Sequence, residues 1–166
     1  MEEATGLTRG AIFYKLRTKE DIFKSVIDKY IIDIQSNDIM ADSLFEFIEK
    51  FIEKVETRMK GILALNIMNM HRAYFGLIYQ ALHYYPGFDE KITLLFNKDL
   101  EMWETIIQTA KNKGEIKMCY DTKELAQKFR YTYSGLSFER SFLHGLDIEE
   151  LRTLYYSYYN EIKHEK

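Results

Sequence analysis

A single proline, Pro86, interrupts 166 residues, and with eight glycines it is almost all the punctuation this chain has. Proline removes a backbone donor and clashes with the preceding helical turn, so a chain this poor in it leaves long helices undisturbed. Many short strands would need turn residues that are missing here. The sequence predicts an all-α protein. With 46% hydrophobic residues it can bury a real core, and its length alone allows one or two domains.

The helix ends are readable. A T-x-x-D capping box, Thr18 with Asp21, opens a helix whose apolar residues Ile22, Phe23, Val26, Ile27, Tyr30, Ile31 and Ile34 recur at helical spacing. Ser43 and Glu46 repeat the device ahead of Leu44, Phe47, Ile48, Phe51, Ile52, Val55 and Met59; the cations Arg58 and Lys60 followed by Gly61 read as its stop. A third helix is expected from about Ala64 to Tyr85, stopped by Pro86-Gly87, and a fourth from about Asp89 to Lys113, closed by Gly114. Asp121-Thr122 starts a fifth that reaches about Leu143, and Asp147 starts a sixth. Long helices joined by short loops predict a compact bundle.

Composition excludes several classes. The lone Cys119 rules out an intrachain disulfide framework and fits a reducing compartment. Met1 is followed by two glutamates instead of a basic and then apolar leader, and no uncharged apolar run approaches the roughly 18 residues of a membrane span. The expected localisation is cytoplasmic. His71 and His83 are too far apart in sequence for a helical metal pair, and Glu161-x-x-His164 falls in a terminal tail, so neither metal nor cofactor is expected. Paired carboxylates, a phosphate-cradling glycine loop and a nucleophile elbow are all missing, so the chain does not read as an enzyme.

The charge is uneven. Residues 1–30 carry six Lys or Arg against five Asp or Glu, whereas the remainder carries 17 against 21. The stretch "GLTRGAIFYKLRTKEDIF", Gly6 to Phe23, places Arg9, Lys15, Arg17 and Lys19 ahead of Glu20 and interleaves them with Phe13 and Tyr14. Glu2 to Thr5 can end one helix, Gly6 can make a tight turn, and Thr8 can cap a second, short helix from Arg9 to Lys15. That is helix-turn-helix spacing, in which the second helix enters the DNA major groove. Arg9 could pair with guanine, small Gly10 and Ala11 would allow close approach to base edges, and Lys15 and Lys19 would meet phosphates.

"ATGLTRGAIFYKLRTKEDIFKSVI" resembles the recognition-helix segment of the tetracycline-repressor (TetR) family of bacterial transcription regulators, over about 24 residues. The "KNKGEI" loop at 111–116 and the two final helices look like that family's ligand-binding and dimerisation domain. The resemblance implies a partial helix-turn-helix segment at 1–20, a helical ligand-binding and dimerisation domain at 21–166, and a homodimer released from operator DNA by a small-molecule effector. By motif position it places Thr8, Phe13, Lys15 and Lys19 near phosphates and Arg9, Gly10, Ala11 and Tyr14 near bases. Phe13 stands where the family usually has tyrosine, and Lys15 where it has histidine. Family members carry a complete first helix and most of a second before the position of Ala4. Either the reading frame starts upstream of Met1 or this is a shortened member with impaired DNA binding. The alternative function is a non-DNA-binding helical dimer that keeps only a ligand- or partner-binding domain.

Two further expectations concern the helical domain. Ile148, Leu151, Tyr155, Tyr158 and Ile162 recur at alternating spacings of three and four, a coiled-coil-like seam, and Phe129, Leu136 and Leu143 accompany small Ser134, Gly135 and Ser137 on the preceding helix. These helices are expected to form an isologous four-helix dimer interface, the other possibility being that both seams pack inside one chain. Met68, Tyr74, Phe75, Tyr79, His83, Phe96 and Trp103 each read as core taken singly, and the resemblance implies that together they line an effector pocket. With Arg72 alone in that region, the expected effector is apolar, aromatic or amphipathic.

Overall fold

A computed structural model describes residues 18–33 and 39–164. Among them the chain is all-helical: α1 (Lys19–Ile27), α2 (Leu44–Leu63), α3 (Met70–Tyr84), α4 (Phe88–Asn112), α5 (Thr122–Ser141) and α6 (Ile148–Ile162). α1 continues directly into a π-helical segment, Asp28–Asp33. The one β-bridge among the described residues is isolated and joins Ile116 to Lys163.

The caps expected from sequence form as local chemistry requires. Thr18 Oγ1 accepts the Asp21 N–H at 3.1 Å while Asp21 Oδ2 accepts the Thr18 N–H at 3.0 Å, a complete capping box. Ser43, Asp121 and Asp147 each accept a first-turn N–H of α2, α5 and α6.

The α2–α3 junction differs from the sequence expectation. α2 passes through Gly61, whose missing Cβ would meet nothing within 4 Å, and ends at Leu63. The stop is Asn66, at φ 61°, with the Ile67 N–H reaching back to the Ile62 carbonyl at 3.4 Å. Asparagine tolerates the left-handed conformation that closes a helix this way, whereas a mid-helix glycine only weakens one. α3 therefore begins at Met70, after the N-cap Asn69, and not near Ala64.

α4 is the spine. α5 packs along it, α2 lies beside it, α6 crosses α2 and α5, and α3 is held between α5 and α1. Two apolar cores result among the described residues. The larger joins α2, the second half of α4, α5 and α6 around Phe47, Trp103, Phe129 and Tyr155; the smaller joins Ile27 and Ile31 to Ile78, Ala81, Phe88, Ile92 and Leu95. Burying each such side chain contributes roughly 1.5–3 kcal/mol before ordering is counted, so the larger core dominates stability.

Polar staples fix the ends. The Arg140 guanidinium donates to both Glu150 oxygens, Nη2 to Oε1 at 2.8 Å and Nε to Oε2 at 3.1 Å, clamping α5 to α6. Near Pro86, Tyr85 OH donates to Asp28 at 2.9 Å and Lys91 Nζ donates to the same carboxylate at 2.9 Å, tying the π-helical segment to both sides of the turn.

Candidate functional site

Of the residues expected to meet DNA, Thr8, Arg9, Gly10, Ala11, Phe13, Tyr14 and Lys15 lie outside the described residues, as do Gly6 and Ile34. Lys19 is described. It is exposed and occupies the first position of α1, immediately after the Thr18 cap. A lysine so close to unpaired helix N–H groups adds positive charge to the positive end of the helix dipole.

An opening of about 220 Å³ lies where the end of α2, the α2–α3 loop and the α5–α6 loop converge. Met59, Leu63, Ile67, Met68, Met70, Leu146 and Ile148 supply apolar walls; His71, His144, Asn69, Glu56 and Lys60 are its polar members. The rim is fixed by hydrogen bonds. Asn69 Nδ2 donates to the Arg140 carbonyl at 3.2 Å, and Arg72 donates to the Ser141 and Leu143 carbonyls, both at 2.8 Å. Arg72, isolated in sequence, thus supplies a cation at the carbonyl end of α5. His71 is 3% exposed, bonds Tyr133 OH through Nε2 at 3.2 Å, and is pulled by burial down to about 4, so its ring is neutral at pH 7.

The residues expected to line a pocket are not gathered together. Met68 alone lines the opening, 80% exposed. Trp103 is at the centre of the larger core, with Phe47, Phe129 and Tyr155 rings at 4.7, 5.1 and 5.7 Å, so its surroundings are filled by aromatic packing. Tyr74 packs against the smaller core and touches Phe75, which meets Phe138 at 5.2 Å. Tyr79 and His83 are exposed. Phe96 carries the Arg130 guanidinium over its ring at 5.0 Å. The spacing of α3 and α4 tells which residues are apolar, not which of them face one another.

A charged cluster sits where α2, α4 and α5 meet. Asp99 lies within electrostatic reach of Arg130, Lys54, Arg58 and Lys98; burial raises its carboxyl above the ordinary value while Arg130 chiefly opposes that. Burial lowers the Arg58 guanidinium and raises the Tyr133 phenol. Among the described residues Arg130 Nε is buried with no hydrogen-bond acceptor. The cluster escapes sequence reading because its members come from three helices with no common spacing. Within the described residues no group of three or more His, Cys, Asp or Glu could hold a metal ion.

The expected dimer seam divides in two. Phe129, Leu151, Tyr155 and Ile162 are each 0% exposed within one chain, so their surface is already used in the larger core and none remains for a second copy. Tyr155 OH donates to the Phe129 carbonyl at 2.9 Å inside that core. Leu136, Ile148 and Tyr158 are half-buried against it, and Leu143 is exposed. The alternating spacing reads a buried stripe correctly but carries no information on whose atoms cover it.

Comparison with protein-family models, curated proteins and solved structures finds no match to this chain. No described helix is long and apolar enough to cross a membrane.

Proposed function

We propose that the chain is a transcription regulator of the TetR type, a homodimer that binds operator DNA and is released by a small, mostly apolar effector. The segment Gly6 to Phe23 carries this reading. It combines four cations, small Gly10 and Ala11 and the aromatics Phe13 and Tyr14 in helix-turn-helix spacing, and it runs into α1 across the Thr18–Asp21 capping box. The all-helical architecture is compatible with an effector domain behind that segment. The opening beside Met68 supports an apolar ligand: thioether and aliphatic walls adapt to shape, and its volume of about 220 Å³ suits a ligand smaller than those of typical pockets.

The test is selection of duplexes from a random pool by the purified chain, followed by fluorescence anisotropy. A regulator enriches a pseudo-palindrome and prefers it to random DNA by at least about a thousandfold at physiological salt. Equal affinity for enriched and random duplexes would remove operator recognition and leave the alternative, a helical dimer with only a ligand- or partner-binding domain.

A further inference from the structure

With the α6 seam turned inward, the exposed apolar surface lies elsewhere. Tyr79 and Leu82 of α3 and Tyr131 and Phe138 of α5 are 57%, 49%, 53% and 39% exposed, and Phe142, just beyond α5, is 67% exposed. Positions 131, 135, 138 and 142 fall on one helical face, as do 75, 79 and 82. The faces are contiguous. Phe75 meets Phe138 edge-on at 5.2 Å, Phe138 meets Phe142 at 5.1 Å, and Arg72 at the start of α3 binds Ser141 at the end of α5, so the helices run antiparallel side by side.

We infer that this α3–α5 face is the surface on which a second copy of the chain docks, as an isologous antiparallel pair of helix pairs; the inference deepens the homodimer reading above and rests on it. Three observations select this occupant. The four exposed rings present roughly 400 Å² of apolar surface, at about 200 Å² per ring, and Leu82 and the exposed Leu143 extend the patch towards the ~800 Å² each partner gives to a stable interface. A patch that size is comparable to the largest apolar patch a monomer carries, about 300–600 Å², and such patches commonly mark interaction sites. The charges on and beside it have partners within one chain: Arg72 is engaged by the Ser141 and Leu143 carbonyls, Arg140 by Glu150 and by exposed Glu139 at 3.6 Å, and the Arg130 guanidinium lies over the Tyr131 ring at 5.4 Å, so a second copy can dock without leaving these charges unpaired. Gly135 is exposed mid-face, with nothing within 4 Å of a Cβ built there, which lets a facing helix approach closely.

The experiment is multi-angle light scattering of the wild type, Gly135→Glu, Phe142→Glu and the control Met40→Glu, with circular dichroism to check folding. Gly135→Glu has free space and gains helix propensity, so it should fold. The wild type and the Met40 variant should run at twice 19.9 kDa, and the two face variants at 19.9 kDa with unchanged helicity, their dissociation constant raised at least about a hundredfold. A wild-type monomer at about 50 μM would overturn the homodimer reading and this surface together. A dimer that survives in whichever face variant folds would overturn the surface and leave the homodimer standing.

Discussion

The Glu115 carboxylate accepts the Leu44 N–H at 2.9 Å across 71 residues of sequence. Its other oxygen accepts the Phe45 N–H at 3.0 Å and the Tyr159 hydroxyl at 3.1 Å, so one side chain joins the start of α2 to the end of α6. The carboxylate supplies negative charge to the positive end of α2 and satisfies two donors that no intrahelical carbonyl reaches.

Removing it should matter more than an ordinary surface change. Glu115→Ala is expected to lower stability by about 1–3 kcal/mol, with Glu115→Gln falling between it and the wild type. Urea denaturation with an unchanged m-value checks this. A loss below about 0.5 kcal/mol would show the cap to be idle.

Tyr159 carries the alkaline signature of the same junction. Burial, then the Glu115 charge and hydrogen bond, raise its phenol to about 12 from an ordinary 10. A raised folded-state value means a contribution fully present below pH 10 and lost as pH climbs towards 12. Tyr159→Phe should flatten that limb, measured by denaturation at pH 9 and 11.

His71 acts in the opposite direction. Its folded-state value near 4 lies below the ordinary 6.5, so its contribution is complete above pH 6.5 and is lost as pH falls towards 4. The loss over that window is on the order of 2–3 kcal/mol. His71→Gln, which can still bond Tyr133, should be less stable at pH 7 yet lose less on acidification to pH 4.5.

On the proposed DNA-binding reading, Arg9 and Lys19 should separate. Arg9→Ala should relax preference at one base pair per half-site, by about 1–3 kcal/mol, whereas Lys19→Ala should weaken all duplexes alike and lower the salt slope by about one for each phosphate left unneutralised. Identical behaviour of the two variants on operator and random DNA would remove Arg9 as a base reader.

An apolar probe that enters the opening should perturb the methyl resonances of Met59, Met68 and Met70 and leave Trp103 emission steady, because Trp103 is not among its lining residues. The reverse pattern would place the ligand in the larger core.

The caps show how far sequence reaches. Thr18, Ser43, Asp121 and Asp147 act on N–H groups two or three residues away, so a local pattern contains the whole interaction. Glu115 gives no such sign, because its donors lie 70 and 71 residues away. Leu151 and Phe138 show the same limit in packing: both sit on apolar stripes, yet the first is 0% exposed and the second 39%. Periodicity marks a face as apolar, and the crossing of helices decides which neighbour covers it. Asp99, Arg58 and Arg130 are illegible as a group for that reason.

α4 spans both cores, and from Phe96 to Met102 none of its side chains is fully buried, with Asp99 in the middle of that stretch. Such a helix has a fault line. Ile92 and Leu95 can part from Ile78 and Ile27 while Trp103 and Ile107 stay locked, so amide hydrogens before Asp99 should exchange through partial openings and those after it only through global unfolding. α1, the helix that follows the basic N-terminal segment, is anchored on the faster-exchanging side, where its orientation can yield before the rest of the fold does.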